Sequence, residues 1–140
     1  MCLIKTIKLK ELERYRITNI LKEDKVVIKI LYKELTNSFL FKKYNYYSPY
    51  EGYKYIKGKL NTSPLRIHAQ ITFFTRNLNI MINEGFHSFL TKEIAENYKS
   101  KLLNDSRAIL CKCIIPKGST IVYNDSEIVS NQIIFIEELK

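Results

Sequence analysis

The amino-acid sequence predicts one α+β domain over residues 1–140, in which an antiparallel or mixed sheet carries two helices. Runs rich in β-branched and aromatic residues, typical of strands, alternate with turn residues. Two segments, residues 9–24 and 91–103, instead space their apolar side chains as amphipathic helices do. The chain has 140 residues, of which 46% are hydrophobic, so it is long enough to bury a core.

The N-terminal segment is predicted to be mostly helical. A short strand can precede the helix at residues 2–7, and the helix itself covers residues 9–24 with charges between its apolar positions. These apolar positions are Leu9, Leu12, Ile17, Ile20 and Leu21. We therefore expect residues 1–25 to form a helical extension that packs on the domain.

The middle of the chain is predicted to consist of strands. Residues 25–35 are rich in β-branched side chains, the turn signal TNS follows, and residues 38–47 resume the strand pattern, which predicts a hairpin. Residues 52–60 alternate tyrosine with lysine, as a half-exposed strand does. Residues 66–75 are a further strand, and residues 77–83 either extend it or fold back on it.

The second helix, over residues 91–103, has the clearest signals. Thr91 is a suitable N-cap, Glu93 and Glu96 lie near the positive end of the helix dipole, and an Asn-Asp pair follows the last turn. Three strands should follow, separated by turns at residues 116–118 and 124–127. They cover residues 107–115, 119–123 and 132–139.

The formal net charge of +9 is the main global clue to function. It favours an anionic partner, such as nucleic acid, a nucleotide, an acidic protein or a lipid surface. The alternative is that abundant lysine, isoleucine, asparagine and tyrosine reflect the composition of an AT-rich genome. The charge alone does not choose between these interpretations.

The sequence also bears on the compartment. The longest apolar runs are too short to cross a bilayer, and the N-terminal MCLIKTIKLK lacks the apolar region and cleavage site of a secretory signal. We therefore expect a cytosolic protein that has no membrane partner.

The three cysteines, Cys2, Cys111 and Cys113, do not predict a disulfide framework or a metal site. A zinc ion would need further ligands, and His68 and His87 do not lie at the spacing of a zinc finger. We expect buried, reduced thiols, no metal and no cofactor. The sequence also contains no Walker loop, Rossmann glycine pattern, HExxH helix or GxSxG elbow.

The segment EGFHSF, residues 84–89, is the first candidate site. Interpreted as a loop that enters a helix, it would offer unpaired N–H groups to a phosphate near Ser88, with His87 as a polar contact or general base. The alternative is structural: Phe86 and Phe89 would anchor the segment in the core and His87 would be an ordinary surface residue. A single histidine without a mapped partner defines no catalytic group, so we favour the structural alternative.

The second candidate site is the tyrosine- and lysine-rich stretch at residues 42–59. Six of the ten tyrosines occur here, interleaved with five lysines and one glutamate. Aromatic rings beside cations suit nucleotide or single-strand binding, whereas the structural alternative is a sheet face with soluble edges. The candidate ligand-binding residues from both sites are Tyr50, Lys54, Lys57, Arg66, His87 and Ser88.

The order of these motifs resembles small proteins encoded in phage and prophage genomes of AT-rich Firmicutes. The resemblance runs from about Tyr46 to the C-terminus and rests on a Ser-Pro-Tyr segment, EGFHSF before a helix, CKCIIPKGS, and a closing strand after IVSN. The signature positions are Ser48, Pro49, Tyr50, Gly85, Phe86, His87, Ser88, Phe89, Ile115, Pro116 and Gly118. The resemblance implies a counter-defence role in the cytoplasm of the host cell.

These observations together predict a non-enzymatic binder of a nucleotide signal, a nucleic acid or a ribonucleoprotein. Such a protein would inhibit bacterial immunity as an anti-CRISPR protein or a nucleotide sponge. Two alternatives remain open. One is a nucleotide-dependent enzyme that resembles ADP-ribosyl transferases, with His87 in its site, and the other is an interaction module for a host immune protein.

Overall fold

The computed structural model describes residues 3–8, 18–36, 41–49, 52–72, 74–102 and 106–140 of the chain. Within these ranges it contains thirteen strands and one helix. The elements are β1 (Leu3–Lys8), β2 (Asn19–Ile20), β3 (Lys25–Thr36), β4 (Lys43–Tyr47), β5 (Lys54–Tyr55), β6 (Leu60–Thr62), β7 (Arg66–Thr72), β8 (Asn77–Glu84), β9 (Phe86–Phe89), α1 (Lys92–Lys101), β10 (Ala108–Ile115), β11 (Thr120–Tyr123), β12 (Glu127–Ser130) and β13 (Gln132–Glu138).

The predicted α+β class with two helices is wrong, because the described chain is mostly β with one short helix. Residues 9–17 of the predicted first helix lie outside the described ranges, and residues 18–24 form β2 and bends. Here the backbone of Leu21 donates to Ser119 O at 2.9 Å and accepts from Gly118 N at 2.8 Å. These hydrogen bonds to the β10–β11 turn take the place of the hydrogen bonds of a helix. The described part of residues 1–25 therefore does not form the predicted helical extension.

The large sheet has ten antiparallel strands. Eight of them follow the order β2-β11-β12-β9-β3-β10-β13-β6, while β4 pairs with β3 and β5 pairs with β4. The predicted hairpin is confirmed, since β3 and β4 pair with Leu35 opposite Tyr44. β3 lies at the centre, and its Val27 and Leu31 are fully buried.

The small sheet has three antiparallel strands in the order β1-β8-β7. Residues 77–83 fold back on β7, which settles the alternative that the sequence left open. Leu78, Ile80 and Ile82 of β8 are buried and form one cluster with Val122 and Val129 of the large sheet. The two sheets therefore pack against each other through apolar side chains.

The helix α1 confirms the prediction for residues 91–103 over its described part. The Thr91 side chain accepts a hydrogen bond from Ile94 N at 3.3 Å, as an N-cap does. Ala95 is fully buried and belongs to a cluster with Ile30 of β3 and Phe89 of β9, so the helix covers this part of the large sheet.

The three predicted C-terminal strands are confirmed as β10, β11 and β13, and β12 is a fourth strand between them. Asn124 Oδ1 accepts hydrogen bonds from the backbone N–H groups of Ser126 and Glu127, which closes the turn that leads into β12. The cysteine side chains of β10 are core residues: Cys111 and Cys113 have no exposed surface. Across the described residues, no helix has the length and apolar character to span a membrane.

Candidate functional site

The EGFHSF segment forms a strand rather than a loop that enters a helix. β9 pairs with β12, with Phe86 opposite Ser130 and Phe89 opposite Glu127. Two residues then separate β9 from α1, whose N-terminus is capped by Thr91. The interpretation of this segment as a loop that enters a helix is therefore wrong.

Gly85 is the corner at which the chain leaves the small sheet and enters the large one. Its φ is +134°, a conformation that other residues rarely adopt. A β-carbon at this position would lie 2.6 Å from both Leu65 Cδ2 and Val129 Cγ1. Both the backbone and the packing therefore require a glycine before β9.

A pocket lies where β9 separates from β3. One edge of β3 pairs continuously with β10. On the other edge, β3 pairs with β9 at Ile28 and with β4 from Tyr32 onward. Residues 29–31 therefore lie between two diverging partner strands, and the pocket opens beside them.

Aromatic rings form most of the pocket wall. Tyr53, Tyr55 and Phe86 make edge-to-face contacts with ring centroids 5.0 to 5.9 Å apart. Phe89 and Tyr98 contribute a second pair of rings, with centroids 5.1 Å apart. The empty space between these residues measures about 670 Å³, including the part open to solvent.

Two separate signature segments of the sequence meet at this pocket. Ser48 and Pro49, which follow β4, border it together with Gly85, Phe86 and His87. Ser63 adds a further small polar side chain. The Ser-Pro-Tyr and EGFHSF segments therefore meet at one structural feature, although they lie far apart along the chain.

Lys29 places a buried cation at the pocket. It interrupts the apolar run of β3 and is 6% exposed. Its ammonium donates a hydrogen bond to the main-chain carbonyl of His87 and lies 5.4 Å from the ring centroid of Tyr55. Because burial removes the hydration of the charge, such contacts are needed to keep the ammonium in this position.

His87 borders the same pocket with a neutral imidazole. Burial and the nearby Lys29 charge lower the pKa of His87 from 6.5 to about 4. Within the described part of the chain, Nδ1 and Nε2 are both buried without a hydrogen-bond partner. At neutral pH the ring therefore offers one donor and one acceptor whose hydrogen-bonding capacity is unused.

The other predicted site residues do not converge on this pocket. Lys54 is an exposed residue of β5, and Lys57 is exposed in the turn after it. Arg66 belongs to the small sheet, where its Nε lies 2.7 Å from Glu84 Oε2. Ser88 is fully buried and its Oγ has no partner among the described residues, but it does not border the pocket. Tyr50 lies outside the described residues.

Sequence reasoning missed Lys29 as a site residue. Its only local signal is one lysine inside the apolar run VVIKIL, which alternation explains equally well as an exposed strand position. Tyr53 and Tyr55 belong to the tyrosine-rich stretch, but nothing in the sequence distinguishes them from its other tyrosines as ligand contacts. Their position against β9 depends on pairing between distant strands.

In the described ranges, no three His, Cys, Asp or Glu side chains are grouped closely enough to hold a metal ion. In comparisons with protein-family models, curated proteins and solved structures, nothing matches this chain.

Proposed function

We propose that the protein binds a planar, anionic small molecule of the nucleotide class in the aromatic pocket and does not convert it chemically. One observation supports this most directly: the pocket combines the buried ammonium of Lys29 with an imidazole, that of His87, whose two nitrogens are buried without partners. The base of a nucleotide would contact the aromatic walls, and its phosphate would contact the ammonium of Lys29. The polar edge of the base would contact the neutral imidazole of His87.

The aromatic walls favour a planar ligand. Tyr53 is the exposed ring of its cluster, at 38%, whereas Tyr55 and Phe86 are each 3% exposed. A base that enters from solvent would contact Tyr53 first, with the buried rings holding it in place. Base–aromatic stacking contributes about 1–3 kcal/mol per base.

Lys29 favours an anionic group on the ligand. In the folded protein its ammonium is already desolvated, so a phosphate that reaches the amine would interact in a weakly screened environment. The hydrogen bond from Lys29 to the His87 carbonyl fixes the amine near the imidazole. The anionic group and the polar edge of the ligand would therefore bind close together.

His87 favours a neutral polar edge rather than a second anion. Because its pKa is about 4, the ring carries no charge at neutral pH. Each buried polar group without a partner costs about 1–3 kcal/mol, and a ligand that supplies the missing donor and acceptor would recover part of this cost. His87 thus acts as a contact in the proposed function, not as a catalytic base.

The test is calorimetric titration with three matched probes: AMP, adenosine and ribose 5-phosphate, followed by the other ribonucleoside monophosphates and cyclic dinucleotides. One of the nucleotides should bind more tightly than its nucleoside and than the sugar phosphate. Lys29→Met should weaken nucleotide binding at least about 10-fold and remove the advantage over the nucleoside. His87→Phe should weaken nucleotide and nucleoside by the same factor.

Lys54→Met is the matched control, because Lys54 is an exposed lysine of β5 and does not border the pocket. Circular dichroism should show that every variant is folded. The proposal is wrong if no nucleotide binds, or if Lys54→Met and Lys29→Met weaken binding equally. Consumption of NAD that depends on His87 would favour the alternative of an ADP-ribosyl transferase.

The counter-defence role rests on the resemblance to phage and prophage proteins and stays a prediction. The pocket is compatible with it because a protein that holds a nucleotide without converting it would remove a signal from solution. The protein should then withhold nucleotide from a second nucleotide-binding protein in a competition experiment. A variant whose pocket does not bind nucleotide should fail to do so.

A further inference from the structure

The small sheet has an outer face that shares no described residue with the aromatic pocket. Leu78, Ile80 and Ile82 of β8 face the large sheet, so the alternate residues of β8 lie on the outer face. The strand register places residues of β1 and β7 beside them. On this outer face lie Thr6, Lys8, His68, Gln70, Thr72, Asn77, Asn79 and Met81.

Side-chain hydrogen bonds link polar residues across the middle of this outer face. Thr6 Oγ1 donates to Asn79 Oδ1 at 3.0 Å, and Asn79 Nδ2 donates to Thr72 Oγ1 at 3.0 Å. The side chains of His68 and Gln70 are exposed beside them. The described side chains of this face therefore present amide, hydroxyl and imidazole groups and the apolar Met81 to solvent, and none of them is a carboxylate.

The turn between β7 and β8 adds an aromatic ring and a cation at one end of this face. Phe74 is fully exposed, at 101%, and contributes nothing to the core. Arg76, two residues later, is exposed and has a φ of 49°, which is uncommon for a residue other than glycine. Lys8 of β1 lies opposite Asn77, at the same end of the sheet.

The charges of the small sheet are mostly positive. Its strands and the 74–76 turn contain four basic residues, Lys5, Lys8, Arg66 and Arg76, and one acidic residue, Glu84. Glu84, at the opposite end of β8, is paired with Arg66 at 2.7 Å. A polyanion would therefore meet no uncompensated carboxylate of the described small sheet.

We propose that the outer face of the small sheet and its 74–76 turn bind single-stranded nucleic acid. Phe74 stacks on a base, Lys8 and Arg76 contact phosphates, and the polar side chains of His68 and Gln70 contact base edges. A single strand fits better than a duplex, because a stacking ring and polar contacts to base edges can be used only by unpaired bases. The surface is independent of the aromatic pocket and uses none of its residues.

The test is fluorescence anisotropy with labelled 12-nucleotide RNA and DNA of mixed sequence, titrated at several salt concentrations. Phe74→Ala should weaken binding about 10-fold and leave the salt dependence unchanged, since a stacking contact releases no counterions. Lys8→Gln and Arg76→Asn should each reduce the slope of log K against log salt by about 0.7. Asparagine is chosen at position 76 because it tolerates a positive φ.

The controls use matched residues from other surfaces. Phe41→Ala removes another exposed ring, at 77%, and Lys117→Gln removes an exposed lysine of the β10–β11 turn. Both should bind as the unmodified protein does, and so should Lys29→Met, whose defect is confined to the pocket. Equal competition by a duplex or by polyglutamate would overturn the proposal in favour of unspecific attraction by the positive charge. The proposal would also be overturned if a neutral polysaccharide competes or if no labelled nucleic acid binds. Equal losses of binding affinity for Phe41→Ala and Phe74→Ala would overturn it as well.

Discussion

The ammonium of Lys29 donates a hydrogen bond to the main-chain carbonyl of His87, across the point where β9 separates from β3. The two residues lie 58 positions apart in the chain. The contact bridges the two strands beyond their shared pair at Ile28 and Phe89. It also brings a positive charge near the imidazole, which helps to keep that ring neutral.

The neutral state of His87 predicts a dependence of stability on pH. The pKa of His87 is 6.5 in the unfolded chain and about 4 in the folded protein, so the unfolded chain binds more protons between these values. With respect to His87, the folded protein therefore has its full stability above pH 6.5, and the free energy of unfolding decreases as the pH falls toward 4. The loss amounts to at most about 3 kcal/mol.

Urea denaturation at pH 7 and pH 4.5 measures this effect. His87→Phe should show a smaller decrease in stability between the two pH values than the unmodified protein. His68→Gln is the control, because His68 is exposed, and it should keep the full decrease. If both variants respond to pH alike, His87 does not titrate as stated.

The corner before β9 predicts that Gly85→Ala is strongly destabilising. A methyl group at this position meets Leu65 and Val129 at 2.6 Å and requires a strained φ of +134°. We expect a loss of at least about 2 kcal/mol in the free energy of unfolding. Gly118→Ala, at a φ of +86° with no atom within 4 Å of the new carbon, should cost only about 1–2 kcal/mol. If both variants lose the same free energy of unfolding, Leu65 and Val129 must move to make room for the new methyl group at position 85.

The two phenylalanines of β9 should be core anchors. Phe86 and Phe89 are each 3% exposed and belong to different apolar clusters. Phe86→Ala and Phe89→Ala should each lower the free energy of unfolding by about 3–5 kcal/mol. Phe74→Ala, a substitution of a fully exposed ring, should change it by less than about 0.5 kcal/mol. Thermal and urea denaturation of the three variants would show the difference.

The cysteines of β10 should be unreactive in the native protein. Burial raises the pKa of the Cys113 thiol to about 12 and raises that of Cys111 further, so neither forms the reactive thiolate near neutral pH. A Cys2→Ala variant isolates these two thiols. It should react with a thiol reagent only at the rate of unfolding, and fast labelling of the native protein would contradict this prediction.

The packing of the two sheets predicts cooperative unfolding. Val122 and Val129 of the large sheet share a cluster with the buried side chains of β8, so neither sheet keeps its core when the other unfolds. Urea denaturation followed by circular dichroism and by tyrosine fluorescence should give coincident transitions. Separate transitions would mean that the predicted single domain is two folding units.

Local signals predicted several elements because neighbouring residues decide them. Thr91 caps α1 through a hydrogen bond from Ile94 N, and the TNS signal lies between β3 and β4, which pair as a hairpin. The β-branched side chains of residues 25–35 favour a strand by their own shape. The segment at residues 18–24 was predicted wrongly because Leu21 gains its backbone partners from Gly118 and Ser119. Helical spacing of apolar residues cannot reveal a partner that distant.

The candidate site was predicted only in part, for the same reason. His87 stood out from its sequence neighbours, and the structure places it at the pocket. Lys29 did not stand out from its sequence neighbours, because a lysine in a β-branched run is typical of a strand with one exposed face. Its burial follows from the position of β3 at the centre of the large sheet, between β10 and β9.

The sequence by itself determined the charge of +9, the clustering of tyrosine with lysine, the cap of α1 and the hairpin of β3 with β4. These properties depend on composition or on contacts between near neighbours. Only the tertiary structure decided that Lys29, Tyr55 and His87 border one pocket, and that Gly85 must be a glycine. The physical reason is that antiparallel pairing joins strands from distant parts of the chain, so burial and charge proximity at this site are set by the strand order of the sheet.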